Sequence, residues 1–361
     1  MPQTSQHPLS LSKLATRARY IARQGSRVGW YAGQAYRMRQ MQRCAVADDP
    51  SLKPNVASPE GHVPGVPELL RGVAALSARD LANIEAGLYP APRGEESWAE
   101  RIANARAFFE DVPEVARRRA TKSHHEARSA PDADKRPRYY SQNFHFQTDG
   151  WMSEDSAKLY DTQVEVLFSG ATAAMRRQGL VPIAHFMEGK DQRAIHAVDL
   201  ATGTGGFAAI LAQSYPRMPL LGLDLSEAYA RHAQDRFKRY RQQGAGVAKG
   251  EAMPLADNSV DLLSAVFLFH ELPPKIRVAV AQEIARVLKP GGLFAFVDSL
   301  QPGDTPAYDG LLELFPQLFH EPYYTTYATT DLVELFKEAG LTPVHEDTAF
   351  VSKVLAFEKV N

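Results

Sequence analysis

The chain has 361 residues, 44% of them hydrophobic and 23% charged, with a formal charge of −1 and a single cysteine. The length suits two folded units better than one, the composition is that of a globular protein, and Cys44 alone excludes an internal disulfide and a thiolate metal cluster. The longest strongly apolar run, Leu262 to Phe269, is too short to span a bilayer as a helix. The first 45 residues lack the apolar core and small-residue cleavage site of a secretory signal, so a cytoplasmic protein is expected.

In chain order, residues 1–45 are expected to form a basic amphipathic helical arm. Lys13, Arg17, Arg19, Arg23, Arg27, Arg37, Arg39 and Arg43 stand in residues 1–47 without an acid, whereas the other 314 residues hold 33 basic and 42 acidic side chains. At about 100° per residue, Leu14, Ala18, Ile21, Val28 and Ala32 share one face, opposite Arg19, Arg23 and Arg27. Gly25, Gly29 and Gly33 each cost about 1 kcal/mol relative to alanine in a helix, and either break it or let it approach another backbone. The charge reads as a solvated helix face or as contact with an anionic membrane surface, which would make the protein peripheral to a membrane. Nucleic acid is disfavoured by the acidic body and by the absence of a known RNA module.

Pro50, Pro54, Pro59, Pro64 and Pro67 mark an extended linker over 46–66. A helical region over 67–138 follows, with helices near 67–87 and 95–119 and a polar connection at 126–138. Residues 139–160 form a connector dense in aromatic and amide side chains, from Tyr139 and Tyr140 to Trp151. It reads equally as a lid over a ligand or as a packed linker.

From about residue 153 the pattern changes. A helix over 154–177 leads into apolar runs at 195–200, 219–224, about 246–250, 260–268, 292–298, 342–350 and 352–359. Helices near 206–214, 226–242, 275–288 and 308–339 separate most of them. Such alternation builds an α/β fold with a mostly parallel sheet covered on both faces, and the last two runs should form an antiparallel hairpin.

The sharpest motif is Ala197-Val198-Asp199-Leu200-Ala201-Thr202-Gly203-Thr204-Gly205-Gly206-Phe207, a strand ending in an acid that turns through glycines into a helix. Glycine there lets the backbone bend tightly and come close to a ligand, and ligands sit outside the carboxyl ends of such strands. The run also satisfies a dinucleotide fingerprint, with Asp224 placed as a nicotinamide-binding acid would be. Asp199 favours an ammonium group over a pyrophosphate. Capping of the following helices is the plainer role for both acids.

Three more segments follow in order: Leu220-Leu221-Gly222-Leu223-Asp224-Leu225-Ser226, then Glu251 to Asp261, then Arg286-Val287-Leu288-Lys289-Pro290-Gly291-Gly292. Together the four resemble the class I S-adenosylmethionine-dependent methyltransferases of the ubiquinone/menaquinone-biosynthesis kind (methyltransferase type 11), over about residues 155–361. The resemblance implies a Rossmann-like sheet of seven strands and a methyltransferase domain over 161–361. It also implies S-adenosylmethionine as cofactor, with Asp199, Gly203 and Gly205 on its methionine part and Ala201, Thr202 and Thr204 in the same loop. Asp224 and Leu225 would meet the ribose, Gly250, Glu251 and Ala252 the adenine, and Tyr160 would cover the cofactor. Ala201 departs from the family's first loop glycine, and Lys249 stands near its usual adenine-binding acid.

His270 and Glu271, after the fourth strand, are the candidate catalytic pair, placed to take a proton from the acceptor; packing and helix capping are the alternative. Phe315, Phe319, His320, Tyr323 and Tyr324 lie where such folds add acceptor-binding insertions. A small, in part apolar, methyl acceptor is expected and no metal site. A nicotinamide-dependent oxidoreductase and a non-catalytic, membrane-associated cofactor binder remain the rival readings.

Overall fold

The computed structural model of the chain describes residues 11–93, 97–129 and 136–360. Part of the expected arm (1–10) and part of the polar connection (130–135) therefore lie outside the described residues. The N-terminal half contains α1 (Leu11–Asp48), α2 (Val66–Ala86), α3 (Trp98–Thr121), α4 (Glu154–Leu167), α5 (Thr172–Gln178) and α6 (Leu180–Met187).

α1 is one unbroken helix, and a Cβ added at Gly25, Gly29 or Gly33 would meet nothing within 4 Å. Its docked face is not the expected apolar stripe. Tyr20, Gln24, Tyr31, Gln34 and Ala35 are buried, while Leu14 is 46% and Ile21 57% exposed. The reason is polar complementarity. Arg17 pairs with Glu85 at 2.8 Å and Arg27 with Glu165 at 2.7 Å, which rotates the tyrosine side of the helix inward. The close backbone approach occurs at Gly170 instead. There φ is +81°, and an added Cβ would lie 3.0 Å from the Arg27 carbonyl oxygen. That kink, with Ser169 also at positive φ, is why the helix expected over 154–177 is divided into α4 and α5.

One buried carboxylate joins these helices. Asp80 of α2 is fully buried and accepts hydrogen bonds from Arg177 Nη2 at 2.6 Å, Tyr20 Oη at 2.5 Å and Tyr89 Oη at 2.9 Å. The expected linker is pinned rather than free. Glu60 and Gly61 donate their N–H groups to Glu313, and Ala57 donates to Gln317.

The C-terminal part is a seven-stranded sheet in the order β3-β2-β1-β4-β5-β7-β6. In chain order its elements are β1 (Ala197–Leu200), α7 (Gly206–Ser214), β2 (Leu220–Asp224), α8 (Glu227–Phe237), β3 (Gln243–Val247), β4 (Val260–Val266), α9 (Pro274–Val287) and β5 (Leu288–Ser299). α10 (Asp309–Leu318), α11 (Tyr324–Ala328), α12 (Leu332–Glu338), β6 (Leu341–Ala349) and β7 (Ser352–Lys359) complete it. β1 to β5 pair in parallel, and β7 is antiparallel to both β5 and β6. Successive side chains of a strand face opposite ways. Leu263, Phe294, Phe296 and Phe357 pack under α9 and α12, whereas Leu262, Leu293, Ala295 and Ala356 pack under α6 and α7.

Three sequence expectations differ from the structure here. β3 begins at Gln243, three residues before the expected run, because Gln243-Gly-Ala-Gly is a half-exposed edge strand with little apolar signal. The helix expected over 308–339 is three helices. Phe319 is extended (φ −119°, ψ 140°) after Pro316, and Asp331 caps α12 by accepting the Glu334 N–H at 2.9 Å. The expected boundary at 160/161 falls inside α4.

Removing one partner of a buried ion pair leaves the other charged and dry. Asp80→Ala is therefore expected to lower stability by about 3–5 kcal/mol, read as a shift of the chemical denaturation midpoint. An unchanged midpoint would show that Arg177 finds another partner or water.

Candidate active site

The strand order reverses between β1 and β4, and the loops that follow the parallel strands diverge there and open a crevice. Asp199, at the end of β1, opposes Gly222 of β2 and Ser264 of β4 in register. Its two oxygens accept hydrogen bonds from Ser264 Oγ at 2.6 Å and Thr202 Oγ1 at 2.7 Å. Asp224, at the end of β2, accepts the Gly203 N–H at 2.8 Å and the Ser226 N–H at 2.8 Å. The glycine loop is thus held from behind by Asp199 and from the side by Asp224. Gly203 (φ +58°) faces open space, whereas Gly205 (φ +80°) lies so close to Phe237 of α8 that a Cβ would stand 3.1 Å from its ring. Thr204 donates to Asp161 of α4 at 2.8 Å, and Arg236 also pairs with that carboxylate.

A cavity of about 560 Å³ begins at this loop. Tyr160, Ala201, Gly203, Asp224, Leu225, Gly250 and Glu251 line it, whereas Asp199, Thr202, Thr204, Gly205 and Ala252 do not. Its roof is the aromatic connector. Tyr139, Tyr140, Phe144, His145 and Trp151 face the cavity, with Phe144 stacked on Trp151 at 4.3 Å. Tyr139 Oη donates to Glu251 at 3.0 Å, and Ser226 Oγ donates to the Trp151 carbonyl at 2.5 Å. The connector therefore lies over the cavity rather than beside it. Beyond the roof the wall is apolar, with Phe168, Phe315, Phe319 and Phe350, and it continues to Tyr36 of α1 and Val66 and Leu70 of α2.

His270 and Glu271 sit on the same wall, in the turn after β4. His270 Nδ1 lies 2.5 Å from Asp298 Oδ1, and Asp298 Oδ2 accepts the Phe269 N–H at 2.7 Å. Burial lowers the His270 pKa, but the Asp298 charge and hydrogen bond, then Glu271, outweigh it and raise the group to about 9. Burial and the Glu321 charge hold the Glu271 carboxyl above its ordinary range. Burial likewise raises Asp199 and Asp224 to about 6, against the hydrogen bonds each accepts. Asp161 goes the other way: burial is overcome by Arg236 and Arg176, which keep it ionised.

Residues 197–292 match the family described as a methyltransferase domain. The chain is 32% identical over 161 residues to the ubiquinone/menaquinone biosynthesis C-methyltransferase of Desulfotalea psychrophila, covering 44% of this chain and 60% of that protein. It is 36% identical over 99 residues to the malonyl-[acyl-carrier protein] O-methyltransferase of Methylococcus capsulatus, covering 27% and 35%. With an uncharacterized methyltransferase of Synechocystis sp. it shares 32% identity over 150 residues, which are 41% of this chain and 68% of that one. The chain belongs to the class I S-adenosylmethionine-dependent methyltransferases.

The matched segments span from about a third to two thirds of these relatives, and the family match begins at residue 197, after the N-terminal helices. The nicotinamide reading falls away. Ala201, which replaces a family glycine, adopts φ +52°, so the loop keeps its left-handed turn at the cost of strain on a Cβ. Lys249 pairs in a short bridge with Ala252, and the Glu251 carboxylate beside it accepts the Tyr139 hydroxyl.

Three residues of the site were assigned no role from sequence. Asp298 ends β5 in an acid as Asp199 and Asp224 end theirs, so the same signal would have found it. His145 lay inside the aromatic run without a distinguishing pattern, and Glu321 had none.

The raised carboxyls have a measurable consequence for this methyltransferase. An Asp whose folded pKa lies above its unfolded value of 3.8 adds stability below that value and loses it as pH rises through about 6. Between pH 5 and 7.5 the ligand-free chain should therefore lose about 1 kcal/mol relative to Asp224→Asn, at about 1.4 kcal/mol per pH unit for one proton. Paired denaturation curves at the two pH values check this; parallel behaviour of both chains would mean that Asp224 stays solvated.

Proposed function

We propose that the chain transfers the methyl group of S-adenosylmethionine to a small acceptor with a polar reacting end and an apolar body. The observation that carries this is the continuity of one cavity from Gly203 and Asp224, past His270 and Glu271, into an apolar chamber. The cofactor fits the residues present. Asp224 lines the cavity and keeps free acceptor capacity for ribose hydroxyls, Gly203 has no neighbour to crowd a ligand, and Leu225 and Gly250 line the same cavity, where adenine would lie. Asp199, with both oxygens engaged by hydroxyls, acts by shaping the loop and by adding negative charge near the ammonium.

When bound, the sulfonium supplies an already activated methyl group, so the protein's contribution is mainly alignment and exclusion of water. The aromatic roof gives the second. For the first, Glu271 faces the acceptor end and takes its proton. His270, held as an imidazolium by Asp298, orients Glu271 from 3.5 Å away.

The membrane reading has less support. Arg17 and Arg27 are engaged with Glu85 and Glu165, and no helix among the described residues is long and apolar enough to cross a membrane. What favours an apolar acceptor is the mouth of the chamber, where Tyr36, Val66 and Leu70 are 64%, 52% and 43% exposed.

Calorimetry should show S-adenosylhomocysteine binding and no NAD binding, with Asp224→Ala weakening the former at least tenfold, about 1.4 kcal/mol. NAD binding in its place would overturn the assignment. Once an acceptor is in hand, Glu271→Gln should lower kcat about 100-fold with S-adenosylhomocysteine affinity unchanged. Parallel loss of both would make Glu271 structural.

A further inference from the structure

Three side chains from separate elements bring polar atoms to one point at the acceptor end. His145 comes from the turn at 144–146, Glu271 from the turn after β4, and Glu321 from the loop before α11. One ligand-capable atom of each lies within 4.8 Å of the others. His145 Nε2 stands 3.4 Å from Glu271 Oε1 and closer still to Glu321 Oε1. None of these approaches has hydrogen-bond geometry. His145 Nε2, Glu271 Oε2 and both oxygens of Glu321 are buried without a hydrogen-bond partner, and Glu321 is 3% and Glu271 5% exposed.

Buried carboxylate oxygens are nearly always satisfied, because leaving them dry and unpaired is costly. An ordinary ion pair would turn the imidazole so that its N–H pointed at an oxygen. Here the nitrogen and the carboxylates converge with these atoms left unpartnered, and a cation that drew them to ligand spacing would satisfy all three. The backbone also bears strain to put His145 there, with His145 and Phe146 both at φ +55°. One imidazole, two carboxylates and a side open to the cavity resemble three-ligand metal sites that keep a position for substrate. The mixed nitrogen and oxygen donors suit a first-row transition ion better than Mg²⁺ or Ca²⁺.

We infer that His145, Glu271 and Glu321 form a binding site for a divalent first-row transition cation. Its charge would offset the two carboxylates, and its open position faces the cavity, where an oxygen of the acceptor is the ligand it would take. Glu271 offers one oxygen to the ion and keeps the other. The use made of the ion rests on the methyltransferase reading; its binding does not.

The test uses the full chain without a histidine tag, stripped with a chelator. Zn²⁺ is titrated by calorimetry and Co²⁺ by visible absorption. One equivalent should bind, and Glu321→Gln and His145→Ala should each weaken it more than tenfold, since even outer-shell losses cost about 10–100-fold. Retained S-adenosylhomocysteine binding shows that the variants are folded. A wild-type chain that takes up no Zn²⁺, or folded variants that bind it undiminished, would overturn the site and leave the cluster as an imidazolium between carboxylates. Metal uptake without S-adenosylhomocysteine binding would support the site and count instead against the methyltransferase reading.

Discussion

Taking a carboxylate out of water costs several kcal/mol unless a cation or a set of donors replaces the hydration it loses. Much of this structure is arranged around that requirement. Asp80 meets it with Arg177 and two tyrosine hydroxyls, and the result fastens α1, α2 and α5 together. Asp161 meets it with Arg236 and Thr204, which fixes α4 against the glycine loop and α8. Both acids serve as joints, and at Asp161 the neighbouring arginines keep the carboxylate ionised. Asp199 and Asp224 receive only hydroxyls and backbone N–H groups, so burial raises them to about 6. Those are the two acids that hold the glycine loop, beside the cavity, where a ligand's own donors could complete the set.

The same reasoning gives the N-terminal helices a place in the chemistry. The relatives are matched over less than half of this chain, yet α1 and α2 line the same cavity as Gly203 and Asp224. A sheet with helices on both faces leaves the carboxyl ends of its strands open to water, and methyl transfer in a water-filled crevice would lose the gain from a low dielectric. Here the aromatic connector covers the cavity near the glycine loop, and α1, α2 and α10 enclose its apolar part. The Asp80 cluster ties α1 and α5 to α2 and so helps hold that enclosure in position.

The parts of this architecture legible in the sequence were those with local causes. β1, β2, β4 and β5 are short apolar runs punctuated by acids, glycines and prolines, and each falls within a few residues of its expected place. The glycine loop and both of its acids could be read for the same reason. β3 lies earlier than its expected place because its two glycines carry almost no apolar signal, and the docked face of α1 is not legible because it is chosen by Glu85, Glu165 and Asp80, which are remote in sequence. His145 and Glu321 become meaningful only together, and the fold alone brings residues 145, 271 and 321 to one point.

That convergence also explains why the roof is built as it is. A connector that only covered the cavity could stack its rings from a relaxed backbone. This one holds His145 and Phe146 in the left-handed region, which persists only when the surrounding contacts over-determine it. Those contacts are visible: Phe144 lies flat on Trp151, Gln142 bridges Tyr323 and His320 at 2.8 and 2.9 Å, and the His145 N–H reaches the His320 carbonyl at 3.3 Å. Tyr323 and His320 belong to the same insertion as Glu321. Roof and insertion are therefore tied to each other as well as to the sheet, and the contacts that hold the strained backbone at His145 are the ones that set it beside Glu321.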